Sequence, residues 1–265
     1  MGQDKITLSV VIPVYNEEHT LQTCVDRVLA IADKNLCLEL ILVDDASTDK
    51  SLEIAAQIES QSNCVHVLRH SVNRGKGAAL RTGFKAATGD YVAVQDADLE
   101  YDPQDLRRIM TVFKEQRADA VFGSRFLTSD AHRVLYFWHY IGNSILTFLS
   151  NLFTDLNLTD METCYKVFKR EVLQEVEIKE NRFGFEPEIV AKIAHRKLRI
   201  FEIGISYDGR TFDEGKKIGV KDGFRALYCI LKYNFFSAPL PTKFLFCLSV
   251  FSFAAVLVAL FKIIY

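Results

Sequence analysis

LSVVIPV (residues 8–14) runs directly into Tyr15, Asn16 and Glu17, and LELILVDD (residues 38–45) repeats the change from an unbroken apolar run to polar residues. A continuous β-branched run is the pattern of a strand covered on both faces, as in parallel sheets. Between the two, Leu21, Cys24, Val25, Val28 and Leu29 recur at helical spacing, so the opening reads as a βαβ unit. Working outward, ASTDKSLEIAAQI predicts a second helix capped by Ser47 or Thr48, and CVHVLRH a third strand. GAALRTGFKAA predicts a helix, DYVAVQDAD a fourth strand, Pro103 the start of another helix, ADAVFGS a fifth strand and RIFEIGISY a returning one. Alternation at this spacing predicts an α/β fold: a Rossmann-like, mostly parallel open sheet flanked by helices, with ligands at the carboxyl ends of the strands. Those ends carry Tyr15-Asn16-Glu17, Asp44-Asp45, Asp96-Ala97-Asp98 and Ser124-Arg125.

The composition, 49% hydrophobic and 25% charged over 265 residues, is that of a chain with one sizeable core. A net charge of -2 excludes the basic excess expected of a nucleic-acid binder, so any bound anion must be recognised locally. The six cysteines are scattered with no C-x-x-C pair and read as reduced core thiols. MGQDKITLSV lacks a basic region followed by an apolar run, which predicts no secretory signal there, and Ile6 stands where myristoylation requires Ser or Thr.

Two later stretches are apolar. FLFCLSVFSFAAVLVALF (residues 244–261), bracketed by Lys243 and Lys262, is an uncharged run of roughly 18 residues, the lower limit for a helix that crosses a bilayer. VLYFWHYIGNSILTFLSNLF (residues 134–153) is broken by His139, Asn143, Ser144 and Asn151, and reads either as a core helix or as an interfacial helix with its polar residues toward lipid headgroups. VKDGFRALYCILKYNFF (residues 220–236) predicts a second amphipathic helix, basic at its edge.

Asp96 and Asp98 lie two apart just past a buried strand, so both can turn toward one point above the sheet. Mg2+ or Mn2+ takes a carboxylate or two plus phosphate oxygens, and Glu100 can add a ligand directly or through water. The motifs PVYNE (13–17), VDDAS (43–47), QDADLE (95–100) and GSR (123–125), in this order, resemble family 2 inverting glycosyltransferases of the GT-A fold. TDMETCYKVFKREVL (159–173), GFEPEI (184–189) and YDGRTFDEGKKI (207–218) are similar to the polyprenyl-phosphate branch, the dolichyl-phosphate mannose and glucose synthases and their undecaprenyl counterparts.

The resemblance implies that Pro13, Tyr15, Glu17, Val43 and Asp45 surround a nucleoside, and that Asp96, Ala97 and Asp98 hold the metal and the diphosphate-ribose end. It implies phosphate contacts at Arg125, Arg210 and Lys216, with Lys217 an equal candidate because this loop reads EGKK. Lys76 is expected near the donor diphosphate, and Asp160 orients the sugar or the acceptor. His139 and Asn143 align with positions that meet the acceptor phosphate. The expected donor is a UDP- or GDP-sugar and the expected acceptor dolichyl or undecaprenyl phosphate. The expected organisation is a GT-A catalytic domain over residues 1–218, including an acceptor-side interfacial helix over 132–154, then a juxtamembrane helix over 219–240 and a transmembrane anchor over 241–265. Lys232 and Lys243, with the need for cytosolic nucleotide-sugar, predict a cytosolic catalytic domain on a membrane. Association into a homo-oligomer is left open.

Other readings fit less well. RGKGAALRTG has Leu80 at the third glycine position of a dinucleotide fingerprint and follows the third strand. A pyrophosphorylase would open with a glycine-rich loop in place of PVYNEE. A membrane-anchored scaffold that binds a nucleotide-sugar without turnover is the competing reading from another class; the intact Asp96, Asp98, Arg125 and Arg210 oppose it.

Overall fold

The structure is a computed structural model and describes residues 5–127, 133–134, 136–209 and 219–236. β1 (Ile6–Val14) lies at the centre of a seven-stranded sheet, parallel to β2 (Leu36–Asp44) on one side and β4 (Tyr91–Val94) on the other. β3 (Val65–Arg69) pairs outside β2, and the full order is β3-β2-β1-β4-β6-β5-β7, with β5 (Ala120–Ser124), β6 (Lys166–Lys169) and β7 (Ile200–Gly204). β6 runs antiparallel to both neighbours; every other pairing is parallel. Because the chain leaves β1 for β2 and β3, then crosses back to β4, a crevice opens between the β1 and β4 ends.

The core follows the apolar runs. Val10, Val11 and Ile12 are fully buried, as are Leu40, Leu42, Val92 and Val94 or nearly so. Helices α1 (Leu21–Leu29), α2 (Ser51–Gln61), α3 (Lys76–Ala86) and α4 (Gln104–Gln116) cover the sheet, and α1 buries Leu21, Cys24, Val25 and Val28, the stripe its spacing predicts. The start of α2 differs from expectation. Asp49 Oδ1 accepts the Ser51 N–H at 2.9 Å, while Ser47 Oγ accepts the Asn16 N–H at 3.1 Å and ties the β1 and β2 loops together.

β6 was not foreseen. It is four residues long and begins with a lysine, so neither length nor alternation marks it. Lys166 is nonetheless fully buried, its ammonium donating to the carbonyls of Met161 and Thr163 and lying 5.2 Å from the Phe122 ring centroid. The described cysteines are free thiols, and Cys24, Cys164 and Cys229 are buried.

Helix α5 (Phe137–Thr154) turns its polar residues inward. Asn143, Thr147, Ser150 and Thr154 are buried, while Phe137, Trp138, Ile145, Phe148 and Leu152 are exposed, Trp138 to 80%. The polar stripe therefore meets the protein, not the solvent side where a headgroup was expected. The short α6 (Arg170–Gln174) follows β6, and α8 (Val220–Ile230) packs against α5 and α7 (Phe185–Ala194), exposes Phe224 and Tyr228, and passes into a π-helical turn, Leu231–Phe236. Buried Glu180 anchors this segment, accepting from Arg225, Lys232 and the Tyr233 hydroxyl. Among the described residues no helix is long and apolar enough to cross a membrane. The expected anchor over 241–265 lies outside the described residues, as do Arg210, Lys216 and Lys217.

Candidate active site

A cavity of about 420 Å3 opens over the carboxyl ends of β1, β2, β4, β5 and β7. Its walls carry Pro13 at the end of β1 and Tyr15 and Glu17 after it, Asp45 after β2, Asp96, Ala97, Asp98 and Glu100 after β4, Arg125 after β5 and Tyr207 after β7. Asn73, Gly75 and Lys76 come from the start of α3, His139 from α5, and Arg182 and Phe183 from the loop before α7. A smaller hollow of about 270 Å3, lined by Asp33, Asn35 and Arg107, lies at the opposite end of the sheet, where β1 and β2 begin.

Backbone conformation at the cavity rim departs from the ordinary regions. Asn16, Ala46 and Leu99, each just past a strand, have φ of 54°, 60° and 65°. Asparagine tolerates that region, but alanine and leucine do so at a cost, and such departures gather at functional sites. Gly75 has φ of 94°, and a Cβ there would lie 2.4 Å from the Asn181 carbonyl oxygen. Glycine at 75 and 77 lets the backbone of residues 180–182 lie directly on the start of α3, where Asn181 O accepts the Ala78 N–H. Asp45 holds the same turn from below. Its buried carboxylate accepts the Arg74 and Gly75 N–H groups and meets His70 Nδ1 at 2.6 Å.

The two charged walls differ in kind. On one, Lys76 Nζ lies 2.9 and 3.0 Å from the two Asp96 oxygens and 3.1 Å from Glu186 Oε1. Burial alone would lower the Lys76 ammonium; Asp96 and Glu186 outweigh it and hold it well above its ordinary value. On the other, Arg125 is buried in a two-point pair with Asp160 and lies against the rings of Phe126 and Tyr207. Asn143 donates to the same Asp160 carboxylate at 3.0 Å. Asp98 accepts the Glu100 N–H, and Glu100 accepts the Tyr207 hydroxyl at 2.8 Å.

Of the expected site residues, the structure thus gathers Pro13, Tyr15, Glu17, Asp45, Lys76, Asp96, Ala97, Asp98, Glu100 and Arg125 around one cavity. Val43 is buried in β2 and Asp160 is buried behind Arg125, so neither lines it. Among the described residues no three His, Cys, Asp or Glu side chains are grouped to hold a metal ion. Asp96 and Asp98 do share the cavity wall, and two carboxylates plus phosphate oxygens are the donor set that Mg2+ or Mn2+ takes. The residues fit a cation that arrives with a diphosphate.

Sequence reasoning missed Arg182, Phe183 and Tyr207 as wall residues and Glu186 as the partner of Lys76. Glu186 stands in the GFEPEI motif, so its position was marked while its contact was not.

A mostly parallel open sheet with an acidic and basic crevice at its switch point is the arrangement of the nucleotide-binding α/β folds. The chain belongs to glycosyl transferase family 2, whose profile matches residues 9–177. It is 30% identical over 220 residues to the low-salt glycan biosynthesis hexosyltransferase Agl6 of Haloferax volcanii, covering 83% of this chain and 52% of that protein. It is 28% identical to the dodecaprenyl-phosphate galacturonate synthase of Rhizobium johnstonii, over 87% of this chain and 67% of that one. With the dolichol-phosphate mannosyltransferase of Pyrococcus furiosus the identity is 27%, over 86% and 64%. The chain therefore spans about half to two thirds of these relatives. Among solved structures, glucosyl-3-phosphoglycerate synthase from Mycobacterium tuberculosis, crystallised with Mn2+ and UDP, superposes with a TM-score of 0.66 at 21% identity, over 86% of this chain and 80% of that one. That likeness establishes a GT-A-like fold, and the matched residues place the chain among the family 2 glycosyl transferases.

Proposed function

We propose that the chain transfers a hexose from a UDP- or GDP-sugar to a polyprenyl phosphate at a membrane surface, with inversion at the anomeric carbon and with Mg2+ or Mn2+. The observation that carries this reading is one cavity with carboxylates on one wall, the buried Arg125 and exposed Arg182 on others, and the aromatic face of α5 beside it. An anionic acceptor approaching an anionic nucleotide needs such a division of charge.

Pro13, Tyr15, Glu17 and Asp45 surround the nucleoside, with Val43 as backing inside β2. Asp96 and Asp98 would hold the cation, with Glu100, tied to Tyr207, adding a ligand directly or through water; such a cation would supply charge to offset what develops on the departing nucleoside diphosphate. Arg125 and Arg182 meet the acceptor phosphate, with His139 at the α5 side and Asn143 behind Arg125 on Asp160; Arg210 and Lys216 remain candidates for the same task. A phosphate monoester is largely a dianion at neutral pH, its second pKa being about 6, so no strong base is required. Asp160, buried and ion-paired, orients Arg125. The exposed aromatic face of α5 and α8 rests on the cytosolic leaflet, where the isoprenoid tail would lie.

The test is transfer of labelled sugar from a panel of UDP- and GDP-sugars to undecaprenyl and dolichyl phosphate in detergent. Labelling that requires Mg2+ or Mn2+ and falls about 10²- to 10³-fold in Asp98→Ala supports the reading. Nucleotide-sugar binding without any labelled lipid refutes the lipid acceptor.

A further inference from the structure

The cation on Asp96 is one of the chain's own. Lys76 Nζ straddles both Asp96 oxygens, at 2.9 and 3.0 Å, which is the position a metal ion takes on a carboxylate. Lys76 leaves the first turn of α3, whose start is clamped by the Gly75 turn and the Asn181 carbonyl, so its ammonium moves by side-chain rotation alone. One alternative seat is already in contact: Glu186 Oε1, at 3.1 Å. The Glu186 charge also acts on Glu162, whose Oε1 is buried without a hydrogen-bond partner. A buried polar oxygen without a partner is rare and calls for a reason.

We propose that Lys76 is a resident counter-ion that a divalent cation must displace from Asp96, and that the displaced ammonium retreats onto Glu186 and onto Glu162, whose carboxyl then gives up its proton to solvent. The first half explains why a carboxylate in a metal-ligand position is held by a lysine; the second explains the orphaned Glu162 oxygen. A lysine this enclosed cannot simply abandon an ion pair, because an unpaired buried charge is costly, so displacement requires the second seat. A lone divalent ion would meet the nearby ammonium and be repelled. A cation that arrives with a nucleoside diphosphate carries its own negative charge, and Lys76 then attracts the pair. Lys76 would in this way make metal and donor bind together, as a positioning residue.

This rests on the reading of the cavity as a donor site, but its test needs neither donor nor lipid. Mn2+ binding to the full chain is measured by electron paramagnetic resonance without nucleotide, for wild type, Lys76→Gln, Lys76→Arg and Glu162→Gln, with melting curves to establish folding. Lys76→Gln should bind Mn2+ on the order of tenfold tighter than wild type, at the lower end of ordinary coupling between sites. Lys76→Arg, which keeps the charge, should bind no tighter, and Glu162→Gln should bind more weakly than wild type because the retreat is impaired. Equal or weaker binding by Lys76→Gln overturns the competition, as does the absence of Mn2+ binding in every variant. Wild-type affinity in Glu162→Gln overturns the second seat alone. In each case lipid labelling, measured separately, still decides the proposed reaction.

Discussion

Arg125 and Asp160 meet through two parallel hydrogen bonds, Nε to Oδ2 and Nη2 to Oδ1, both 2.7 Å, with the carboxylate fully buried. The arginine also lies against the Phe126 and Tyr207 rings, 5.6 and 5.2 Å from their centroids, and a two-point fork sets orientation as well as distance. Asp160→Ala leaves a buried guanidinium uncompensated and should cost about 3–5 kcal/mol of stability, read by urea unfolding. Burial alone would raise the Asp160 carboxyl, yet Arg125 holds it below its ordinary value. A depressed carboxyl contributes stability above its unfolded pKa of roughly 3.9 and loses it as pH falls through the lower folded value. Acid unfolding should therefore be less steep in Asp160→Asn than in wild type.

Glu162 predicts the opposite dependence. Burial, then Glu186, pushes its carboxyl up to about 8 against the attraction of Lys166 and Arg125. The folded chain then holds a proton that the unfolded chain has released, so this group's contribution to stability declines as pH rises from about 4.5 to 8. Melting temperatures across that range should fall less in Glu162→Gln than in wild type. Parallel curves would show that Glu162 is ionised throughout.

Gly75→Ala introduces a side chain at positive φ against the Asn181 carbonyl. The expected loss is about 1–3 kcal/mol, together with weaker nucleotide binding because the turn that carries Lys76 must shift. Denaturant unfolding and nucleotide titration measure the two effects separately; an unchanged midpoint would mean that the residue 180–182 loop yields freely.

Trp138 is the sole tryptophan and is 80% exposed on the outer face of α5. If that face rests on lipid, anionic vesicles should shift Trp138 emission to shorter wavelength, and brominated acyl chains should quench it. A chain that co-floats with vesicles while its emission stays that of water-exposed indole would be held by other residues.

The parallel core was legible because its strands are buried on both faces, which forces apolar runs such as residues 8–14 that little else in a globular chain requires. The acidic wall was legible for a related reason: Asp45, Asp96 and Asp98 each sit just past such a run, so their height above the sheet comes from the strand. The basic and roofing residues were harder. Arg182 and Phe183 succeed no strand; they reach the cavity because Gly75 and Gly77 allow a loop distant in sequence to lie on α3. In the sequence the orientation of α5 stays open between a core and an interfacial helix because a stripe of Asn, Thr and Ser ordinarily faces water, whereas here Asn143 is needed by the Arg125–Asp160 pair and the apolar stripe is left outside. In β6 a buried lysine disguised the strand, its charge satisfied by carbonyls that no local pattern records.

The reversal of β6 bears on how such a chain can change over time. A parallel strand reaches the ligand side only through the loop at its carboxyl end. A strand entered from that side contributes instead through the segment leading into it, here residues 159–165, and then carries the chain away beneath the sheet. The stretch bearing Asp160 and Glu162 is thus bounded by α5 at one end and a short strand at the other. Substitutions within it can retune the Arg125 wall of the cavity while the parallel strands keep their register.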